Sequence, residues 1–241
     1  MMDYGIQMYS LRDVTKNDME GALRTVSALG YKMVEFAGFF DYDALTIRGW
    51  LDRFGLRVSG THTGWQELDK EHFAQTVAYH KAIGNKNIII PGADLSTEEK
   101  LDAFIDFVNE VAPKLAAEGI TLGYHNHHRE FLPTDYGKII HHELETRTSI
   151  AFEIDTYWAY VAGQDPLALL RRLADRVHVI HLKDGSADGK GTALGEGTAP
   201  VAEVRALAAQ LGMTIVIESE GLQPTGPEEV GRCMTYLRKI S

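Results

Sequence analysis

The segment VHVIHLK, residues 177–183, decides the fold. It is a short, nearly continuous apolar run that ends in His181 and Lys183 and leads into a glycine-rich loop. Upstream, SIAFEID (149–155) has the same form and ends in Asp155; downstream, MTIVIES (213–219) reaches Glu218. Working outward, YGIQMYS (4–10), MVEFAG (33–38), LRVSGTH (56–62), KNIIIPG (86–92) and ITLGYHN (120–126) bring the series to eight. Such runs suit parallel strands covered on both faces. Their spacing of roughly 30 residues is about one βα unit each. No tight hairpin signal joins any two of them. Eight similar units favour closure into a single-domain α/β (β/α)8 TIM barrel over residues 1–241 rather than an open sheet.

The stretches between the runs carry helix punctuation. Ser96 and Glu99 form a capping box, after which Leu101, Phe104, Ile105, Val108, Ala112 and Leu115 recur at helical spacing until Gly119. Asp165-Pro166 and Ala199-Pro200 place proline at a first helical position. Gly30, Gly55, Gly84 and Gly212 each fall between a helix end and the next strand.

Composition narrows the function. Thirty-four acids against 24 bases give a formal charge of −10, and no Lys/Arg cluster offers a nucleic acid its footprint. The start, MMDYGIQMYS, lacks a basic region followed by a long apolar run, and no stretch reaches the roughly 18 apolar residues that span a bilayer. A cytoplasmic protein without membrane or nucleic-acid partners is expected. Cys233 is the one cysteine, which excludes an internal disulfide and a Cys-rich zinc module and suits a reducing compartment. No GxGxxG or Walker motif follows the first strand, so the usual nucleotide site is absent.

Barrel enzymes work at the C-terminal ends of their strands. Alternation sorts the polar residues there. Thr121, Gly123 and His125 share one face of the fifth run; Ala151, Glu153 and Asp155 share one of the sixth. Val177, Val179, His181 and Lys183 do so in the seventh, and Thr214, Val216 and Glu218 in the eighth. Four neighbouring strands therefore each aim a metal-competent side chain into the mouth. Parity leaves His127 beside His125 and Glu220 beside Glu218. Two carboxylates and two imidazoles on low-dielectric ground suit one divalent cation. Mixed nitrogen and oxygen ligation favours Mn²⁺, Zn²⁺, Co²⁺ or Fe²⁺ over Mg²⁺ or Ca²⁺.

GYHNHHREF, EIDTYW with VAG and DP after it, VIHLKDG with LGEG, and VIESEG follow in order. Together they resemble the sugar phosphate isomerase/epimerase branch of the xylose-isomerase-like TIM barrel superfamily, and IQMYSLRD and VEFAG extend the likeness over the whole chain. The resemblance implies metal ligands at His125, Asp155, His181 and Glu218. Many members carry glutamate where this chain has His125, and use that glutamate with the eighth-strand one as an acid/base pair. Here Glu218 keeps one role, and His127, Glu130 or Lys183 is left for the other.

The leading expectation is a metal-dependent isomerase or epimerase of a small sugar or polyol, phosphorylated or not, acting through a metal-stabilised enediolate with Glu218 as base. A lyase or dehydratase on a keto-sugar or keto-inositol is the alternative, and a non-catalytic sugar-binding barrel a third. A fourth, an abasic-site endonuclease, needs more zinc ligands and a basic face. Glu35 and His62 either line the substrate pocket or satisfy each other in the core; Gln7 and Tyr9 share that ambiguity. Trp158 and Trp65 either pack a sugar face or anchor loops, and Glu130 is a further substrate contact. His141 and His142 are expected on the surface, and His178 against the helix layer. In the loop 185–197, Glu196 either reaches the site or belongs to a flexible lid, and the lid is the simpler reading. Family members commonly pair through rim helices, so a homo-oligomer stays open.

Overall fold

A computed structural model describes residues 2–240. Eight parallel strands close into a barrel: β1 (Gly5–Gln7), β2 (Met33–Phe36), β3 (Arg57–His62), β4 (Asn87–Ile90), β5 (Thr121–His125), β6 (Ala151–Asp155), β7 (Val177–Leu182) and β8 (Thr214–Ile217). They follow one another in chain order around the ring, and β8 pairs with β1. Each lies inside one of the eight apolar runs, and helices follow every strand on the outside. The outward residues Val34, Phe36, Ile88, Ile90, Leu122, Ile154, Ile180, Leu182, Ile215 and Ile217 are all buried beneath those helices. Burying each such side chain contributes about 1.5–3 kcal/mol, which is why these strands read as apolar runs.

The helix signals hold with two shifts. Gly30, Gly55 and Gly84 end their helices at φ of 105°, 64° and 78°, in the left-handed region where glycine carries no Cβ penalty. Asp165 caps the helix Pro166–Arg172, with proline at its first position. The helix Glu98–Ala117 is capped by Thr97, whose hydroxyl accepts from the Lys100 amide, rather than by Ser96. Pro200 is the N-cap of Val201–Gln210, one residue before the helix proper.

Two expectations about exposure are corrected. His141 is buried, with its ring stacked at 4.5 Å on Phe131 and 4.8 Å on Phe152. The first helix turn after residue 139 turns it inward, a position its polar neighbours disguised. His178, expected against the helices, is solvent-exposed on β7.

The loop after β7 is pinned. Asp184 accepts backbone N–H groups from Gly185, Gly195, Gly197 and Ala199, and a two-stranded hairpin pairs Asp184–Gly185 with Gly191–Thr192. A Cβ at Gly197 would meet the Asp184 carboxylate at 2.3 Å, so only glycine allows that approach. Glu196 pairs with Arg232 at 2.8 Å, so it does not reach the site, and the flexible-lid reading is corrected by the bonds that hold the loop on Asp184. Among the described residues no helix is long and apolar enough to cross a membrane.

Candidate metal centre

Strand register explains what meets inside the barrel. Gln7 lies beside Glu35, His125 beside Glu153, Asp155 beside His181, and His181 beside Val216. Two register shifts occur, between Val34 and Glu35 and between Phe152 and Glu153. Each falls immediately before a buried glutamate, where an irregularity re-aims the side chain. Across from Glu35, a Cβ on Gly60 would lie 3.0 Å from the carboxylate and 2.5 Å from Ile89, so glycine makes the room.

At the mouth, His125, Asp155, His181 and Glu218 each offer one ligand atom, all within 4.8 Å of one another, and all four side chains are buried. His181 Nδ1 is 3.0 Å from Glu218 Oε2 and 4.0 Å from Asp155 Oδ2, and His125 Nε2 is 3.5 Å from the same Asp155 oxygen. The other Asp155 oxygen accepts the Trp158 amide at 2.8 Å and so caps the next helix. Asn126 clamps the Asp155 backbone on both sides, accepting its N–H at 3.1 Å and donating to its carbonyl at 3.2 Å. Thr156 donates to the His181 carbonyl.

Lys183 is buried beside this group. Its ammonium lies 3.3 Å from Asp155, 3.1 Å from Glu218 and 2.6 Å from Glu220, and 4.9 Å from the centre of the Trp158 ring. Burial opposes its charge, but the three carboxylates together raise its pKa. Burial would raise Glu218 as well; Lys183 and His181 outweigh it and hold Glu218 well below the usual carboxylate range. Asp155 goes the other way, pushed up by burial despite the same two cations. Burial and the neighbouring imidazoles drive His125 well down, so its ring is neutral.

A second layer lies beneath. Glu35 Oε1 accepts from Gln7 Nε2 and from His181 Nε2, both at 2.7 Å, and is 3.2 Å from His62. Glu153 Oε2 is 2.8 Å from His62 Nε2 and 3.3 Å from His181 Nε2. Burial works against the Glu35 charge, but His181 and His62 hold its pKa at about 2; burial and the nearby Glu35 push Glu153 well up. For His181 burial is outweighed by Glu153, Glu35 and Glu218, so its pKa is raised.

The residues present fit a divalent ion. Both ring nitrogens of His125 and Oδ2 of Asp155 are buried without a hydrogen-bond partner. Unpartnered donors and acceptors of this kind are costly unless a ligand takes them up. His62, His125, Glu153 and His181 form a second grouping within 4.8 Å. It shares His125 and His181 with the upper one, and its other two members already bond each other, so the upper set fits better.

A cavity of about 530 Å³ opens above, lined by Tyr9, His62, His125, His127, Glu218 and Glu220 among others. His127 faces it with Nδ1 unpartnered, and burial lowers its pKa. Three expected substrate contacts are placed elsewhere. Glu35 is fully buried in the lower layer, one pleat too deep, which favours its reading as a core partner of His62. Glu130 turns away: its carboxylate accepts the His127 amide at 2.9 Å and the Arg129 Nε–H at 3.0 Å. Trp158 stands behind Lys183, with His127 and His128 against its ring. Trp65 packs edge-on against Phe104 and Phe107 as a loop anchor. Glu153 was missed as part of the site. Its signal was available, since it precedes Asp155 by two on the same inward face.

Residues 23–240 match the xylose isomerase-like TIM barrel family. The chain belongs to that family. It is 26% identical over 198 residues to an inosose dehydratase of Clostridium beijerinckii, covering 72% of this chain and 65% of that protein. The match thus spans slightly under two thirds of that relative's length. A sugar phosphate isomerase/epimerase from Parabacteroides distasonis superposes with a TM-score of 0.85 at 24% identity, over 99% of this chain and 98% of the other. The D-psicose 3-epimerase of Clostridium cellulolyticum gives 0.73 at 15% identity, over 99% of both chains. These two superpositions concern the fold.

Proposed function

We propose that this member of the family is a metal-dependent enzyme that removes the proton next to the carbonyl of a small sugar or polyol ketone. The observation that carries the reading is the buried meeting of His125, Asp155, His181 and Glu218, with the nitrogens of His125 and Oδ2 of Asp155 lacking hydrogen-bond partners. Those four residues would hold the ion, of the Mn²⁺, Zn²⁺, Co²⁺ or Fe²⁺ kind, which when bound supplies Lewis-acid polarisation of a carbonyl and adjoining hydroxyl. Glu218 is held ionised and borders the cavity, so it is the base that takes the proton. Lys183, bonded to Glu218 and Glu220, orients both carboxylates. Neutral His127, facing the cavity, handles the second proton. Reprotonation at the neighbouring carbon or on the opposite face gives isomerisation or epimerisation.

A second outcome begins with the same proton and ends with loss of a β-hydroxyl or other β-substituent. The imidazole at the end of β5 favours it, since His125 leaves no carboxylate opposite Glu218 to return a proton to the other face. The inosose dehydratase relative points the same way.

The test is incubation with 2-keto-inositol, 3-keto-sugars and simple ketoses in D2O with Mn²⁺. Deuterium should enter at the carbon next to the carbonyl, and Glu218→Gln should slow this by about 10²–10⁴-fold. A product of unchanged formula means isomerase or epimerase, and loss of water or aglycone means lyase. Absence of exchange with all these ketones would refute the reading.

A further inference from the structure

The lower layer poses a question that the ligand set does not answer: which nitrogen of His181 faces the ion. Both ring nitrogens of His181 are engaged, on opposite sides. Nε2 points down to Glu35 Oε1 at 2.7 Å, with Glu153 at 3.3 Å. Nδ1 points up to Glu218 at 3.0 Å and Asp155 at 4.0 Å. Glu35 is itself held, since Gln7 Nε2 donates to the same oxygen at 2.7 Å and Gly60 leaves the space it occupies. It is fully buried and outside the cavity, so it touches no substrate.

We propose that Glu35 is a positioning residue for the metal: by accepting the Nε2–H of His181 it keeps that proton in place, so that Nδ1 is the nitrogen that gives up its proton and faces the ion shared with Asp155 and Glu218. A ring nitrogen can ligate only when it carries no proton, and a carboxylate on the far nitrogen places the proton there and raises the basicity of the near one. Gln7 stands one step further out and keeps Glu35 from rotating. A buried glutamate on β2, three strands around the ring from β7, is thereby given a task that packing alone does not require. Replacing such an outer partner lowers metal affinity by about 10–100-fold in other sites.

The inference rests on the metal reading above, and the experiment separates the two. The full-length protein, labelled with ¹⁵N-histidine, is loaded with ¹¹³Cd²⁺, and the His181 signals are identified by their loss in His181→Gln. Cadmium–nitrogen coupling is expected at Nδ1 of His181, with Nε2 still protonated. In Glu35→Gln, isothermal titration should show Mn²⁺ binding weakened about 10-fold or more, with the metal-free unfolding midpoint little changed. Coupling through Nε2, or wild-type Mn²⁺ affinity in a folded Glu35→Gln, overturns the inference while leaving a metal site in place. Failure of the wild type to bind Cd²⁺ or Mn²⁺ at all overturns the metal reading and this inference with it. Should Glu35→Gln not fold, the coupling in the wild type still decides.

Discussion

At the scale of single residues, Lys183 shows most clearly how the site is balanced. Three carboxylates surround one buried ammonium. Removing one partner of a buried ionic group leaves the others uncompensated, at a cost of about 3–5 kcal/mol. Lys183→Met should therefore lower the stability of the metal-free protein by that order. Mn²⁺ should restore much of the loss, because a cation on Asp155 and Glu218 replaces the missing charge and binds only the folded state. Urea unfolding with and without Mn²⁺ measures both. Equal losses under the two conditions would mean that the ion does not bind where Lys183 acts. The neutral His125 and the ionised Glu218 express the same balance: His125, buried beside other imidazoles without a carboxylate bonded to it, stays uncharged, and Glu218, beside Lys183 and His181, stays charged.

At the scale of elements, two histidines are built into helices far from the mouth. His80, on the helix Phe73–Ile83, packs beside Thr61 and Asn85, and burial lowers its pKa to about 4. His141, on Ile140–Arg147, lies between two phenylalanine rings, and burial lowers its pKa to about 3. Both are depressed below the value of an unfolded chain, so between the two values the unfolded state binds more protons. Their stabilisation is complete above pH of about 6.5 and falls away as the pH drops toward the folded values, by up to about 1.4 kcal/mol per histidine for each pH unit. His141→Leu should flatten that acid limb while leaving stability at pH 8 within about 1.5 kcal/mol, since ring packing is partly kept and Nε2 has no partner to lose. Chemical unfolding from pH 8 to 5 follows it; an acid limb as steep as that of the wild type would assign the sensitivity elsewhere.

Across the whole molecule, what the sequence disclosed was what a strand shows along its own length. The eight runs, their order and the upper group of side chains were legible because apolar continuity marks a doubly covered strand and polarity marks its end. Parity left Glu220 beside Glu218, and the structure separates them: only Glu218 is buried against His181, while both pair with Lys183. The lower layer was hidden because it depends on cross-barrel pairs such as Glu35 with His181, 146 residues apart, and on two register shifts that no local pattern announces. His141 was misread because its polar neighbours disguise an inward face. The loop after β7 reads as a lid by its glycines, yet those glycines bring its backbone onto Asp184. Closure of the ring is what makes one site of residues from seven strands, and a bound cation would reconcile so many buried acids and imidazoles.

The most direct measurement is an anomalous-difference map, at the zinc edge, of crystals grown with Zn²⁺. A single strong peak is expected at the barrel mouth, with nitrogens of His125 and His181 and oxygens of Asp155 and Glu218 at about 2.0–2.2 Å. A map with peaks only at surface histidines, or with its peak on His62 and Glu153 and out of reach of Asp155 and Glu218, would contradict the site.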